Sequence, residues 1–191
     1  EDVGCYDETI EYFNDEVDHI FKGVTRNLQS IMSTFASVVY PMSKWIHKIK
    51  DVNILKKYIR FISNLIRPNI VTYDIYNMLS TILLRIVKPK RIEPNSQDPL
   101  YVNLVKATEM MATKMVEIIP EIKSQNLDYY FFGFSNIALL FAYLKNEKGH
   151  EFLNSFIIPL YKENQETTET QMLNLFSKLI NLEYYNDEEI Q

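Results

Sequence analysis

The chain has 191 residues and only four glycines, and 47% of its residues are hydrophobic and 13% aromatic. This apolar content excludes a disordered chain, and the single cysteine, Cys5, excludes an internal disulfide framework. The net charge of −5 argues against a general nucleic-acid binder, and the scarcity of glycine argues against phosphate-cradling loops and all-β folds.

Apolar residues at helical spacing predict three helices in the first half of the chain. The first runs from about residue 7 to residue 40, the second follows Asp51, and the third follows Thr72 or Asn69. Asp51 is predicted to cap the second helix, because its carboxylate can accept a hydrogen bond from a first-turn N–H. Prolines at positions 41, 68 and 89 end the three patterns.

Residues 89–98 are the strongest loop candidate, because two prolines and a cluster of turn residues occur together there. We interpret this segment as a loop inside a single domain of residues 1–191. A further helix is predicted to start at Asp98 and Pro99, with proline at its first helical position. Pro120 kinks or ends it. One face of this helix carries Leu104, Thr108, Met111, Met115 and Ile118.

Residues 129–144 are apolar nearly all round, which predicts a helix buried among other helices. Asp128 is expected to cap this helix, and Gly149 is expected to provide its stop. Gly133 lies inside it, where glycine costs about 1 kcal/mol relative to alanine. We therefore expect close helix packing or a bend at Gly133.

Two more helices are predicted between residues 152 and 182. Pro159 bends the first of them, and Thr168-x-x-Gln171 is typical of a capping box that starts the second. Taken together, the patterns predict an all-α fold. They indicate a single-domain helical bundle of about seven or eight helices around a central apolar helix.

Charge is unevenly distributed along the chain. Residues 1–20 hold eight acids and no Lys or Arg, whereas residues 44–91 hold eleven bases and two acids. A basic stretch of this kind can bind an acidic partner or an anionic surface. The alternative is that it packs beside the acidic N-terminal segment and that Trp45 is core. The candidate basic partner surface consists of Lys44, Lys48, Lys56, Lys57 and Arg60.

The residues that usually carry chemistry are sparse. Two Glu-x-x-His pairs, Glu16 with His19 and Glu147 with His150, have the spacing used by di-iron helical bundles. We favour exposed pairs on polar faces, since two further glutamates cannot be named. Phosphate-loop, dinucleotide-binding and HExxH patterns are absent from the sequence. We predict no enzymatic activity, catalytic residue, cofactor or metal.

Three methionines lie close together in the sequence and fit either an adaptable groove or ordinary core. We expect core for all three, Met110, Met111 and Met115.

Two families are similar in part. The apolar segment 129–144, the break at Gly149 and the apolar segment after it resemble the central hairpin of the Bcl family of apoptosis regulators. Residues 71–83 resemble a groove-forming helix of its poxviral members. The resemblance implies a groove that binds an amphipathic helix. The Tyr-rich, all-helical style and the pair Cys5-Tyr6 are similar to rapidly diverging secreted effectors, among them the BICYCLE family with its paired Cys-Tyr-Cys motifs.

The interpretation that we favour is a non-enzymatic binding or effector protein that recognises a protein partner through a surface of helices. The alternatives are a Bcl-like apoptosis regulator and a helical carrier of an apolar small ligand, which needs a cavity lined by Met and Phe. Because the numbering begins at Glu1, we expect a secreted protein, with the cytoplasm as the alternative. Homo-oligomerisation stays open. No apolar run reaches the roughly 18 residues that cross a bilayer.

Overall fold

A computed structural model describes residues 39–44, 46, 49, 51–68, 70–88, 99–122 and 126–182. The chain divides into two compact units, residues 1–70 and residues 71–191. Within the described ranges every regular element is a helix or helical turn, and no strand occurs. The all-α prediction is confirmed. The predicted first helix falls almost entirely outside the described residues, as does the loop at 89–98, and the single domain stays a prediction.

Unit 1 contains the short helix α1 (Tyr40–Met42) and the helix α2 (Val52–Leu65). The Asp51 carboxylate caps α2 as predicted, because it accepts hydrogen bonds from the backbone N–H of Asn53 at 2.7 Å and of Ile54 at 3.3 Å. One face of α2 is buried, and its Tyr58 hydroxyl donates a hydrogen bond to the Val39 carbonyl at 3.1 Å. This bond satisfies the polar end of a side chain that is fully buried.

Unit 2 contains the remaining elements. Its first helix begins after Thr72, one of the two starts that the sequence left open, and the Thr72 hydroxyl caps it by accepting a hydrogen bond from the Ile75 N–H at 3.4 Å. Pro159 is the second residue of a helix that begins directly after a π-helical segment, and π segments inside helices are frequent at functional sites. The elements are α3 (Tyr73–Val87), α4 (Pro99–Glu117), α5 (Ile119–Ile122), a 3₁₀ turn (Leu127–Tyr130), α6 (Phe131–Tyr143), α7 (Lys148–Phe152), the π segment (Leu153–Ile157), α8 (Ile158–Glu163) and α9 (Gln165–Asn181).

Helix α6 forms the centre of unit 2, as its uniformly apolar sequence predicted. Every residue from Gly133 to Ala142 is buried. The helix packs most extensively on α3 and then on α9, with further contacts to α4 and α7. Burial of a helix on all sides favours apolar residues all round. Most of α6 is apolar and buried, with Ser135 and Asn136 as buried polar residues and Phe132 as an exposed apolar one.

Close packing at Gly133 brings α6 against α3. A Cβ atom at this position would lie 2.6 Å from both Asn77 Oδ1 and Tyr76 Cδ1, closer than carbon atoms in proteins approach such groups. The absence of a side chain lets the Gly133 N–H donate to Asn77 Oδ1 at 2.9 Å. The close approach predicted from the sequence is therefore confirmed.

A polar seam continues along the same helix pair. The buried Asn136 Nδ2 donates to Ser80 Oγ and to Thr81 Oγ1, each at 3.2 Å. Both hydroxyls in turn donate to the Asn77 carbonyl, at 2.8 and 2.9 Å. These bonds pair side-chain groups that would otherwise be costly to bury, and they fix the register between α3 and α6.

Three predicted helix ends are wrong. Asp128 does not cap α6, because it lies inside the 3₁₀ turn, and the N-cap position belongs to Tyr130 without a side-chain bond. Gly149 does not stop α6 either. That helix ends at Tyr143, the positive φ of 51° belongs to Lys145, and Gly149 is buried inside α7.

The predicted capping box at Thr168 is also wrong, because α9 starts earlier, at Gln165 after Asn164. Thr168 lies inside the helix, where its hydroxyl donates to the Asn164 carbonyl at 2.7 Å. Such back-bonding to the carbonyl four residues earlier is a common use of threonine within a helix. In the described part of the chain, no helix combines the length and apolar character needed to span a bilayer.

Candidate functional site

The basic surface that the sequence singled out lies in unit 1 and is only partly described. Lys44 is exposed after α1, and Lys56 and Arg60 are exposed on α2. Lys57 is half-buried and has an interaction partner, so it is not a free surface charge. Lys48 lies outside the described residues, as does Trp45.

The outer face of α2 is nevertheless consistently basic. Lys56 and Arg60 are one turn apart on the same face, and Arg67 is exposed just beyond the helix end. Helix α2 contains no Asp or Glu, and the carboxylate that caps it belongs to Asp51. We call Lys56, Arg60 and Arg67 the basic face of unit 1.

Unit 2 carries an exposed group of three large rings, which we call the aromatic patch: Tyr73, Tyr129 and Phe132. Their side chains are 44%, 61% and 52% exposed. The ring centroids of Tyr73 and Tyr129 are 5.6 Å apart. Phe132 follows Tyr129 by three residues in a continuous helical stretch, which places the two on the same side of it.

A rigid base lies under the aromatic patch. The buried Tyr130 ring meets Tyr73 edge-on at 6.4 Å and Tyr76 edge-on at 5.6 Å. Asn77 Nδ2 donates to the Tyr129 carbonyl at 3.1 Å, so α3 holds the backbone of the 3₁₀ turn. The patch is therefore mounted on packed rings and a tertiary hydrogen bond.

Buried phenols contribute to this base. The Tyr76 hydroxyl donates to the Met115 carbonyl at 3.2 Å. Burial raises the pKa of Tyr76 well above its ordinary value, and the nearby Tyr130 raises it further. Burial also raises the pKa of Tyr130. Both hydroxyls therefore stay protonated at neutral pH and act as hydrogen-bond groups, not as bases.

A second feature of unit 2 is an open cleft of about 490 Å³, which we call the phenylalanine cleft. Phe141, Phe152 and Phe156 line it, together with Val116, Ile119 and Pro120 from the end of α4 and from α5. Phe152 and Phe156 are stacked at 5.5 Å with 11° between their planes. Phe134 meets both edge-on, at 6.3 and 5.0 Å.

The mouth of the cleft is polar. Glu117 and Glu151 line it with exposed carboxylates. Among the described lining residues, Lys148 is the one base, and its Nζ donates to Thr113 Oγ1 at 3.4 Å. The described lining therefore includes two carboxylates and one ammonium.

The structure separates the three methionines that the sequence grouped. Met111 and Met115 are buried core residues, as expected, whereas Met110 is 74% exposed and contradicts that expectation. Its position on the outer face of α4 explains the difference, because consecutive helical residues point about 100° apart. None of the three lines the phenylalanine cleft.

Of the two Glu-x-x-His pairs, Glu16 with His19 lies outside the described residues. Glu147 immediately precedes α7 and His150 lies within it; His150 is half-buried and has an interaction partner. Among the described residues, no group of three or more His, Cys, Asp or Glu is arranged to hold a metal ion.

Sequence reasoning missed both features of unit 2. Residues 129–144 were predicted to be buried on every side, so the exposure of Tyr129 and Phe132 was not expected. A uniformly apolar helix gives no periodic signal for the residue that faces outwards. The cleft had one usable signal, the spacing of Phe152 and Phe156 one turn apart before Pro159, but its opposite wall comes from a helix some forty residues earlier.

Known proteins add nothing to this description. No family model, curated protein or solved structure matches the chain.

Proposed function

We propose that the protein is a non-enzymatic binding protein that recognises a protein partner through its helical surface. The observation that carries this proposal is the aromatic patch, with three large rings about half exposed on one surface. Aromatic residues are enriched in protein–protein interfaces and supply many of their energetic anchors. Two of the three rings carry hydroxyls, which can hydrogen-bond in a complex.

The rigid base favours binding further. Ordering a mobile side chain on association costs about 0.5–1.5 kcal/mol. Tyr73 is already held against Tyr129 and Tyr130, and the Tyr129 backbone is bonded to Asn77. Much of that ordering is therefore complete before a partner arrives.

The test is affinity purification of partners from the natural source, followed by measurement of Kd for the partner found. We expect Tyr129→Ala/Phe132→Ala to weaken binding about a hundredfold or more, since two anchors are removed. The matched control is Met110→Ala/Leu173→Ala, which truncates two exposed apolar side chains elsewhere in unit 2. Equal loss in both variants, or loss in the control alone, would contradict the proposal.

The basic face of unit 1 is a separate candidate surface. It suits an acidic protein, and its contribution would decrease as salt is added. Lys56→Glu/Arg60→Glu tests it, with Lys162→Glu/Lys178→Glu as the control on exposed lysines of α8 and α9. If only the first pair abolishes partner binding, the interface belongs to unit 1 and the aromatic patch is not the anchor.

Two further proposals concern the location of the protein and the Bcl-like alternative. We propose a secreted protein, with the cytoplasm as the alternative, and detection of the natural protein in medium or in cell extract decides between them.

Titration with an amphipathic BH3-type helix tests the Bcl-like groove. Saturable binding of that helix, blocked by substitutions outside the aromatic patch, would favour the regulator instead.

A further inference from the structure

We propose that the phenylalanine cleft of unit 2 binds a small organic cation with a flat apolar body, of the aryl-alkylammonium class. This activity goes beyond recognition of a protein partner and uses a different set of residues. The carrier hypothesis expected a cavity lined by Met and Phe. The cleft has the phenylalanines, and its charged mouth specifies the kind of ligand.

The size of the cleft favours a small molecule. Sites for small ligands range from about 300 to 1,000 Å³, and the cleft, at about 490 Å³, lies inside that range. A helix two turns long and about 10 Å wide occupies roughly 850 Å³. The cleft could enclose only part of such a helix, and its volume therefore favours a smaller ligand.

The wall of the cleft favours a flat ring. Phe152 and Phe156 are stacked nearly parallel, and Phe134 abuts both edge-on from behind. Phe156 is only half-buried and lines the opening, so this braced pair offers aromatic surface to a ligand. Planar apolar groups stack on such surfaces, and a cation near the face of the ring is attracted by its quadrupole.

The charges of the lining favour a cation over an anion. Among the described lining residues, Glu117 and Glu151 carry two negative charges and Lys148 carries one positive charge. Lys148 donates to Thr113 and keeps its charge, so these three residues sum to one negative charge. A carboxylate ligand such as a fatty acid would meet this excess of like charge, whereas an ammonium ligand would meet opposite charge and the aromatic wall together.

The experiment is isothermal titration calorimetry of the full chain with tryptamine and with indole-3-propanoate, which share the indole ring and differ in the sign of charge. We expect tryptamine to bind with a Kd about tenfold or more below that of the acid, equivalent to one favourable charge interaction. Equal affinities, tighter binding of the acid, or no saturable heat with either compound would overturn the proposal.

Two double variants test whether tryptamine binds in the cleft. Glu117→Gln/Glu151→Gln should reduce the preference for tryptamine to about threefold or less, because the carboxylates are neutralised without loss of volume. Glu163→Gln/Glu166→Gln, on exposed residues outside the cleft, should leave the preference unchanged. The reverse pattern would show that the ammonium binds elsewhere and would overturn the proposal.

A filling variant covers the case in which truncation of Phe156 disturbs the fold. Ser155 is exposed and lines the cleft, so Ser155→Trp places a large side chain in the opening without removing core. We expect this variant to keep the wild-type circular dichroism spectrum and to lose tryptamine binding about tenfold or more. Unchanged binding in a folded Ser155→Trp protein would overturn the proposal.

Discussion

At the scale of single residues, Gly133 decides how closely α3 and α6 approach. The sequence indicated an unusual position, because a glycine inside a strongly apolar helix destabilises the helix and no local feature of the sequence compensates for it. It could not indicate what approaches, because Asn77 lies 56 residues earlier in the chain. Close contacts of this kind depend on tertiary packing, which no local pattern records.

Gly133→Ala should destabilise the protein by about 2 kcal/mol, because overpacking a close contact outweighs the gain in helix propensity. The new Cβ would lie 2.6 Å from Asn77 Oδ1 and from the buried Tyr76 ring. Urea unfolding followed by circular dichroism measures the change. The control is Ser135→Ala on the same helix, whose hydroxyl donates to the Phe131 carbonyl of its own helix, and we expect it to cost about 1 kcal/mol or less. A Gly133→Ala protein as stable as the wild type would contradict the close approach.

Because Tyr76 has a raised pKa in the folded protein, we expect the folded protein to lose stability in alkali. The pKa of this phenol is raised by burial and by Tyr130, so the folded state keeps the proton to higher pH than the unfolded chain does. The stabilisation is complete below the unfolded pKa of about 10. It decreases by up to about 1.4 kcal/mol for each pH unit above that value.

Urea unfolding at several pH values between about 9 and 11 tests this expectation. We expect Tyr76→Phe to be less stable than the wild type at neutral pH, because the bond to the Met115 carbonyl is lost, and to show a shallower decline in alkali. Tyr73→Phe, on an exposed ring, should keep the wild-type slope. An unchanged slope in Tyr76→Phe would exclude this phenol as the cause.

At the scale of elements, the apolar stripes were predicted better than the helix ends. The predicted stripe from Leu104 to Ile118, which follows α4 and ends one residue beyond it, is buried as expected, and Asp51 and Thr72 cap their helices. Asp128, Gly149 and Thr168 were misassigned because the helix boundaries lie two to four residues earlier or later in the chain, at Tyr130, Lys145 and Asn164. Capping motifs identify suitable residues, but which of them is used depends on packing of the whole helix.

Lys145 replaces Gly149 as the stop of α6, which gives a direct test. A lysine in the left-handed region costs about 1–2 kcal/mol that glycine does not. Part of this gain is offset, because glycine has more conformational freedom in the unfolded chain. We therefore expect Lys145→Gly to stabilise the protein by about 0.5–1 kcal/mol. Lys162→Gly, at an exposed position inside α8, should instead destabilise by about 1 kcal/mol. Destabilisation by both substitutions to the same extent would contradict the positive φ at Lys145.

At the scale of the whole molecule, the helical spacing of apolar residues predicted the all-α class, and the uniformly apolar segment 129–144 predicted the buried central helix. The surface features were not predictable in the same way. Exposure of Tyr129 and Phe132 depends on where α6 leaves the core, and the cleft depends on segments distant in sequence meeting in space. The sequence therefore predicted the scaffold more fully than the candidate sites on it.

The single domain is a prediction that calorimetry can test. If residues 1–191 form one cooperative domain, thermal unfolding gives a single transition whose calorimetric enthalpy equals its van't Hoff enthalpy. We expect that result. Two separable transitions would contradict the prediction and would assign the two compact units, residues 1–70 and 71–191, as independent domains.

The central claim is that the aromatic patch anchors a protein partner. Site-specific photo-crosslinking tests it most directly, with p-benzoylphenylalanine placed at Phe132 in the patch or, as a control, at Leu173, an exposed apolar residue of α9. After irradiation in the natural source, we predict one discrete protein adduct from position 132 and none of that mass from position 173. An adduct from position 173 only, or no adduct from position 132 while the wild-type protein still captures its partner, would contradict the claim.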